Sequence, residues 1–170
     1  MKKILITHFL LLYTLISYSQ LNETVFVEKI GKDILIGECN RTGLQLPQIG
    51  DWYMQEYNIY QPSERVIKKI KSEFSNDISI TVVLATWCHD SKREVPRFYK
   101  IIDLAGIDEK YLTVYSTDLK KTVKGVDISN LDIQRVPTFI IYRNGIEIGR
   151  IIESPNRSLE KDLLKILRKK

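Results

Sequence analysis

Two patterns of apolar residues along the chain predict where strands and helices form. Residues 78–85 are a nearly continuous run of apolar, mostly β-branched residues, which is typical of a strand buried on both faces. Residues 62–74 instead repeat apolar side chains at spacings of three and four, which indicates one face of a helix. A second helix is predicted over residues 88–105, and a second strand over residues 111–115.

The C-terminal third of the chain predicts a hairpin followed by a helix. Residues 138–142 and 146–152 have strand composition and flank Asn144-Gly145, a pair of residues that favours a tight hairpin turn. A short helix is predicted near residues 128–133, before this hairpin. Ser154-Pro155 has the residue types of an N-cap and a first helical position, so the last helix is expected to begin there.

The segment before residue 62 has its own pattern. Residues 24–38 are predicted to form a hairpin, and residues 40–50 a loop, because the latter contain two glycines and a proline. An aromatic-rich segment from Trp52 to Tyr60 is predicted to be helical and to pack against the main sheet rather than form a binding platform. Strands and helices in this order predict an α/β fold with a central mixed sheet flanked by helices.

The first 19 residues have the layout of a secretory signal peptide. Met1-Lys2-Lys3 is basic, residues 4–16 are almost wholly apolar, and Ser17-Tyr18-Ser19 offers small residues for a signal peptidase. We expect cleavage before Gln20 and export to the periplasm or cell envelope rather than beyond it. The alternative is an uncleaved membrane anchor, for which the apolar run is short. The predicted organisation is therefore a signal peptide (1–19), an N-terminal extension (20–61) and a main domain (62–170).

Charge and cysteine content narrow the function further. The formal net charge is +5, and removal of the two lysines in residues 1–19 leaves +3. The basic residues are scattered among acids without an aromatic-lined stripe, so we expect no nucleic-acid partner. We also expect no stable membrane insertion after cleavage. The two cysteines, Cys39 and Cys88, allow one intramolecular disulfide at most, so the core must be held by packing.

The residues with the clearest chemistry are Trp87-Cys88-His89-Asp90-Ser91, at the predicted junction of a strand and a helix. A cysteine there faces unpaired backbone N–H groups and the positive end of the helix dipole. Both favour the thiolate, which is the nucleophilic form. The alternative is that Cys88 is only a small buried apolar residue.

These residues and two later features resemble the thioredoxin superfamily. The family has a Trp-Cys-x-x-(Cys or Ser) motif at this junction, and a proline eight residues later that corresponds to Pro96. Arg135-Val136-Pro137-Thr138 resembles the family's cis-proline loop, and the predicted hairpin and last helix follow it. The resemblance covers about residues 62–168 and implies a thioredoxin-like fold.

The resemblance also implies roles for individual residues. Cys88 is the attacking nucleophile, and Ser91 occupies the position of the family's second catalytic cysteine. Trp87 shields and shapes the site and is one of the substrate-binding residues. Val136, cis Pro137 and Thr138 bind the substrate, with the backbone of Val136 pairing with a peptide strand. No cofactor and no metal site are implied.

The departures from the family pattern all concern the resolution of the mixed disulfide. A serine at position 91 can donate a hydrogen bond to a thiolate but cannot attack a mixed disulfide. The family's buried acid corresponds to Val82, and the lysine that commonly accompanies it corresponds to Val114. Cys39 is a candidate resolving thiol or disulfide partner of Cys88, although a buried cysteine without a partner is the favoured interpretation.

Three functions remain open from the sequence. The first is monothiol thiol–disulfide exchange through Cys88, acting on exported cysteine-containing proteins or low-molecular-weight thiols. The second is a non-catalytic module that binds extended peptides in the cis-proline groove. A metal or iron–sulfur site of the monothiol glutaredoxin kind is the third, and Trp87 with the His89-Asp90 pair argues against it.

Overall fold

The computed structural model describes residues 20–169, so the predicted signal peptide lies outside the described residues. The strands are β1 (Glu23–Val27), β2 (Lys32–Glu38), β3 (Ile78–Leu84), β4 (Leu112–Ser116), β5 (Thr138–Arg143) and β6 (Ile146–Ile152). The α-helices are α1 (Arg41–Leu44), α2 (Trp52–Ile59), α3 (Glu64–Glu73), α4 (His89–Ala105) and α5 (Leu159–Leu167). Two 3-10 turns cover Glu109–Tyr111 and Ser129–Leu131.

The six strands form one mixed sheet in the order β1-β2-β4-β3-β5-β6. Strands β3 and β4 are parallel, and every other neighbouring pair is antiparallel. The helices flank this sheet, so the fold is α/β, as the order of apolar patterns predicted. Among residues 20–169, no helix is long and apolar enough to cross a membrane.

Strand β3 buries both of its faces because successive side chains of a strand point to opposite sides. Ile80, Val82 and Leu84 belong to the main apolar cluster. Val83 instead packs in a second, smaller cluster that also contains Ala85. The end of β3 is therefore enclosed on two sides, which holds the residues that follow it in a defined position.

The N-terminal segment shares the sheet and the core of the main domain. Strand β2 pairs with β4 through Gly37 and Glu38, which lie opposite Ser116 and Tyr115. Side chains from residues 20–61 and from the rest of the chain belong to the same buried cluster, among them Leu35, Leu44, Tyr53, Phe98 and Tyr99. The predicted boundary between residues 61 and 62 therefore separates two segments that pack as one unit.

Several local predictions are confirmed. The hairpin of residues 24–38, the helix of the aromatic segment and the β5–β6 hairpin all form. At the β5–β6 turn, Asn144 and Gly145 have φ angles of 49° and 76°, the left-handed backbone that a two-residue hairpin turn requires. Helix α4 continues through Pro96 and ends at Ala105, and Gly106, with a φ of 69°, forms its left-handed cap.

Three local predictions are wrong in detail. The last helix begins at Leu159 and not after Ser154, because the Asp162 carboxylate accepts the N–H groups of Asn156 and Arg157 and holds them in a turn. The predicted loop of residues 40–50 contains α1, which Asn40 caps by accepting the Gly43 N–H. The helix predicted near residues 128–133 is only the 3-10 turn Ser129–Leu131, which stops where Asp132 adopts a φ of 49°.

Candidate functional site

Cys88 lies at the junction of β3 and α4 as the N-cap of that helix. Its backbone is extended (φ −86°, ψ 131°), and its carbonyl accepts the N–H of Lys92 at 3.1 Å. Its own N–H donates to the Ala85 carbonyl at 3.0 Å, which closes the turn after β3. The side chain is half-buried at the N-terminus of a 17-residue helix, where the helix dipole is positive, and it makes no capping hydrogen bond.

The thiol of Cys88 meets the loop that precedes β5. Its Sγ lies 3.2 Å from the carbonyl oxygen of Val136, to which the thiol can donate a hydrogen bond. The peptide bond between Val136 and Pro137 is cis, as expected from the resemblance. The antiparallel pairing of β3 with β5 brings the two segments together, because Val83 near the end of β3 lies opposite Thr138 at the start of β5.

The loop before β5 presents backbone groups beside the thiol. Thr138 donates its hydroxyl to the Arg135 carbonyl at 2.6 Å, which holds the loop against the start of the strand. Val136 is 3% exposed, and its N–H has no hydrogen-bond acceptor among residues 20–169. An unpaired backbone N–H beside a thiol can pair with an incoming extended chain.

Trp87 forms the neighbouring wall of the site. Its indole Nε1 donates to the Thr117 carbonyl at 3.2 Å, and its ring packs on the cluster that includes Val83 and Val136. The structure therefore brings Trp87, Cys88, Val136, Pro137 and Thr138 into one region.

Ser91 is fully buried and has a structural contact. Its Oγ accepts the N–H of Ala85 at 3.1 Å, which ties the first turn of α4 to the end of β3. No hydrogen bond between Ser91 and Cys88 is found in the described part of the chain. Position 91 lies one helical turn after the thiol, so its side chain remains on the same side of the helix.

Cys39 lies away from Cys88, and both thiols are free. Its N–H donates to Val114 on β4, which in turn lies opposite Val82 on β3. Two strand spacings, roughly 10 Å, therefore separate Cys39 from Val82, which itself precedes Cys88 by six residues, whereas disulfides need Cα atoms about 4.4–6.8 Å apart. Cys39 is 3% exposed, and burial, with a smaller contribution from the charge of Glu38, raises its pKa to about 12.

The positions of the family's buried acid and lysine are apolar here. Val82 and Val114 are paired in register and belong to the main apolar cluster. A buried acid that the sequence reasoning missed, Glu94, lies in α4 six residues after Cys88. Its carboxylate contacts Arg93 at 2.7 Å and Arg97 at 3.6 Å, so its charge is compensated. The sequence could have indicated this burial, because position 94 lies three residues after Ser91 and therefore on the same, buried face of α4.

A cavity of about 650 Å³ adjoins the site on the side of β2 and α2. Its walls include Lys32, Asp33, Asp51, Trp52, Trp87 and Lys92. Sequence reasoning missed it because three segments distant along the chain contribute the lining. No cluster of three His, Cys, Asp or Glu side chains able to hold a metal ion occurs between residues 20 and 169.

No family model matches the sequence, and no curated protein matches it. The structure is similar to the crystal structure of a protein of unknown function from Pseudomonas aeruginosa, with a TM-score of 0.48 and 12% sequence identity. The similarity covers 68% of this chain and 79% of that chain.

Proposed function

We propose that this chain is an exported, thioredoxin-like oxidoreductase with a single active-site cysteine, Cys88. It exchanges disulfides with cysteine-containing proteins of the periplasm or cell envelope, or with low-molecular-weight thiols. The observation that carries the proposal is the position of the Cys88 thiol, at the N-terminus of α4 and 3.2 Å from the carbonyl of Val136 beside cis Pro137. The thiol is half-buried, and the unpaired N–H of Val136 lies in the loop beside it.

The first step is attack on a substrate disulfide. The Cys88 thiolate attacks one sulfur, the substrate S–S bond breaks, and a Cys88–substrate mixed disulfide forms. The other substrate sulfur leaves as a thiolate and takes a proton from solvent. The electron pair of the broken bond stays on the leaving sulfur, so this exchange needs no cofactor.

The second step needs a thiol from outside the motif. Ser91 has no sulfur, and Cys39 is buried two strands away with a raised pKa. The mixed disulfide is therefore resolved by an external thiol, or by a second cysteine of the substrate that shuffles the bond. Monothiol exchange of this kind favours rearrangement of disulfides or removal of small thiols from proteins.

The loop before β5 orients the substrate. The unpaired N–H of Val136 and the hydrogen-bonded turn between Arg135 and Thr138 offer an edge for an extended peptide. Trp87 covers the adjacent side through its bond to Thr117. A peptide held on this edge passes over the Cys88 thiol.

A second candidate function is a peptide-binding module without exchange chemistry. The unpaired N–H of Val136 favours it, because strand pairing at this edge needs no reactive sulfur. In that case binding of client proteins does not depend on Cys88.

Trapping in the cell envelope distinguishes the two functions. Disulfide-linked complexes are isolated from cells that produce the wild-type chain, the Cys88→Ala variant and the Cys39→Ala variant, the last being the matched control. Exchange predicts discrete adducts that Cys88→Ala abolishes and Cys39→Ala retains. Non-covalent capture of the same clients by Cys88→Ala, with no adducts in wild type, would instead support the binding module.

Export is tested on the same material. The proposal expects a periplasmic or envelope protein whose mature chain begins at Gln20. Cell fractionation checks the location, and intact mass measurement checks the cleavage before Gln20. The mass of the full-length chain would contradict cleavage.

A further inference from the structure

The cavity lies beside the motif that carries the thiol, and Cys88 itself is not part of its wall. Thr86 and Trp87, which directly precede Cys88, form part of its wall, and so does Lys92, one helical turn after it. The remaining walls come from the β1–β2 turn and from the segment that enters α2. None of the residues that line it belongs to the Val136–Thr138 loop, so it is separate from the peptide edge.

Four charged side chains contribute to the wall of the cavity. Lys32, Lys92, Asp33 and Asp51 all line it, and none of them makes a salt bridge within residues 20–169. Burial lowers the pKa of Lys92, and the charge of Lys32 lowers it further, while Cys88 acts in the opposite direction. Lys92 also lies one helical turn after the thiol-bearing residue, since its N–H donates to the Cys88 carbonyl at 3.1 Å.

Two tryptophans supply the apolar part of the wall. The indole of Trp52 donates to the Ile49 carbonyl at 3.0 Å, and that of Trp87 donates to Thr117 at 3.2 Å. Both N–H groups are thus used within the protein, and the rings are held in place. A cavity of about 650 Å³ lies within the range of roughly 300–1,000 Å³ that small-molecule sites occupy.

We propose that this cavity binds a low-molecular-weight thiol of amino-acid type, one that carries both carboxylate and ammonium groups, as the resolving thiol for Cys88. The inference rests on the proposed monothiol exchange. The ammonium groups of Lys32 and Lys92 would bind the carboxylates of the ligand. The carboxylates of Asp33 and Asp51 would bind its ammonium group. The tryptophans cover the carbon skeleton between these groups.

The chemistry balances with two molecules of the thiol. The thiolate of the first attacks Cys88 Sγ of the mixed disulfide, and the substrate leaves as a thiolate that takes a proton. A second molecule attacks the small thiol now bound to Cys88 and releases it as a symmetric disulfide with a free Cys88. The substrate disulfide is reduced by two electrons, and two thiols are oxidised to one disulfide.

Binding is measured first without any exchange chemistry. The probe is S-methylglutathione, which has two carboxylates and an ammonium group but no free thiol, and the protein is the full mature chain with Cys88→Ala. Calorimetry or fluorescence of the cavity tryptophans reports binding. Lys32→Gln and Lys92→Gln should each weaken it about tenfold, the loss of one charge-assisted hydrogen bond, whereas Lys92→Arg should retain most of it. Lys68→Gln, an exposed lysine of α3 outside the cavity, makes the same charge change and should leave binding unaltered.

Kinetics then test the role in resolution. Cys88 is converted to its 2-thiopyridyl disulfide in a Cys39→Ala background, and release of the neutral pyridine-2-thione is followed by absorbance. The rate constant for glutathione, divided by that for uncharged 2-mercaptoethanol, should exceed the ratio expected from the reactivities of the two thiols. Lys92→Gln should lower this ratio about tenfold.

Absence of binding by S-methylglutathione, or equal binding by the Lys32, Lys92 and Lys68 variants, would overturn the inference. Mixed disulfides trapped on Cys88 would still support monothiol exchange in that case. Conversely, binding of S-methylglutathione without any trapped adduct on Cys88 would support the cavity as a ligand site and contradict monothiol exchange.

Discussion

At the scale of single residues, the two cysteines have different surroundings, and their reactivity should differ accordingly. Cys39 is 3% exposed, and burial raises its pKa to about 12, so its thiol resists ionisation at neutral pH. Cys88 is half-buried at a helix N-terminus. We expect iodoacetamide to label Cys88 at least about tenfold faster near pH 7. Peptide mapping of the reduced protein measures this, and equal labelling would contradict the assignment.

Ser91 offers a test of the monothiol mechanism. A thiol at position 91 lies one helical turn from Cys88, and intramolecular attack on the mixed disulfide has a large advantage over an external thiol. Ser91→Cys should therefore release reduced substrate without added thiol and acquire an 88–91 disulfide, whereas wild type should stall as the mixed disulfide. The gain should be incomplete, because Val82 supplies no carboxylate to assist proton transfer.

The matched control for this substitution is Ser91→Ala. Both variants weaken or remove the acceptor of the buried Ala85 N–H, at about 1–3 kcal/mol, but only the cysteine variant adds a thiol. Thermal unfolding reports the first effect and release of substrate thiols the second. If wild type also releases reduced substrate without added thiol, a resolving thiol already exists in the chain. Cys39 would then be the one internal candidate.

At the scale of elements, the β1–β2 hairpin is attached to the turn that leads to Cys88. The N–H of Leu35 donates to the Thr86 hydroxyl at 3.1 Å, and the Leu35 carbonyl accepts the Ser116 hydroxyl at 2.8 Å. All three residues are buried, so these bonds have no access to water. The hairpin thus holds both the end of β3 and the end of β4, which together position the site.

Thr86→Val tests this attachment. The substitution keeps the side-chain volume but leaves the buried Leu35 N–H without an acceptor, which should lower the free energy of unfolding by about 1–3 kcal/mol. Denaturant unfolding measures the loss, and hydrogen exchange of the Leu35 amide should accelerate. Thr113→Val, at an exposed position of β4, is the control and should change stability by less than about 0.5 kcal/mol.

A second attachment joins the N-terminal segment to α5 and depends on pH. Burial acts to raise the pKa of Glu160, but the hydrogen bonds donated by the Tyr60 hydroxyl and the Ser63 N–H act against it, and the pKa is lowered. A carboxylate with a lowered pKa stabilises the fold above its unfolded pKa of about 4.3, and this contribution is lost as pH falls through the folded pKa. Tyr60→Phe should therefore destabilise the protein near pH 7 by about 1–3 kcal/mol and less near pH 2. Urea unfolding at the two pH values measures the difference, and an equal loss at both would contradict the pairing.

At the scale of the whole molecule, residues 20–61 and 62–169 share one sheet and one core. Leu35, Leu44 and Tyr53 are each at most 1% exposed, and burial of such side chains contributes about 1.5–3 kcal/mol each. Domains of this size are stable by about 5–15 kcal/mol in total. We expect a fragment of residues 62–169 to lose cooperative unfolding, whereas residues 20–169 retain it. Near-ultraviolet circular dichroism with thermal melting tests this, and a cooperative transition in the fragment would show an independent domain.

The sequence by itself determined the elements whose signals are local. The β-branched run of β3, the spacing of apolar residues in α3 and the Asn144-Gly145 turn each depend on neighbours in the chain, and each formed where expected. The start of α5 did not, because the bonds of Asp162 to the backbone of residues 156–157 compete with the helical signal of Ser154-Pro155. The reactive-cysteine hypothesis was also local, since it follows from a cysteine between a strand and a helix.

Only the tertiary structure decided which of these residues meet. Cys88 and Val136 are 48 residues apart, and their 3.2 Å contact depends on the pairing of β3 with β5. The separation of Cys39 from Cys88 depends in the same way on the strand order, which places β4 between β2 and β3. The lysine-lined cavity also needs the turn before β2, the entry to α2 and the start of α4 to be adjacent. Such contacts are set by the packing of distant segments into one core, and residues close in sequence carry no signal of it.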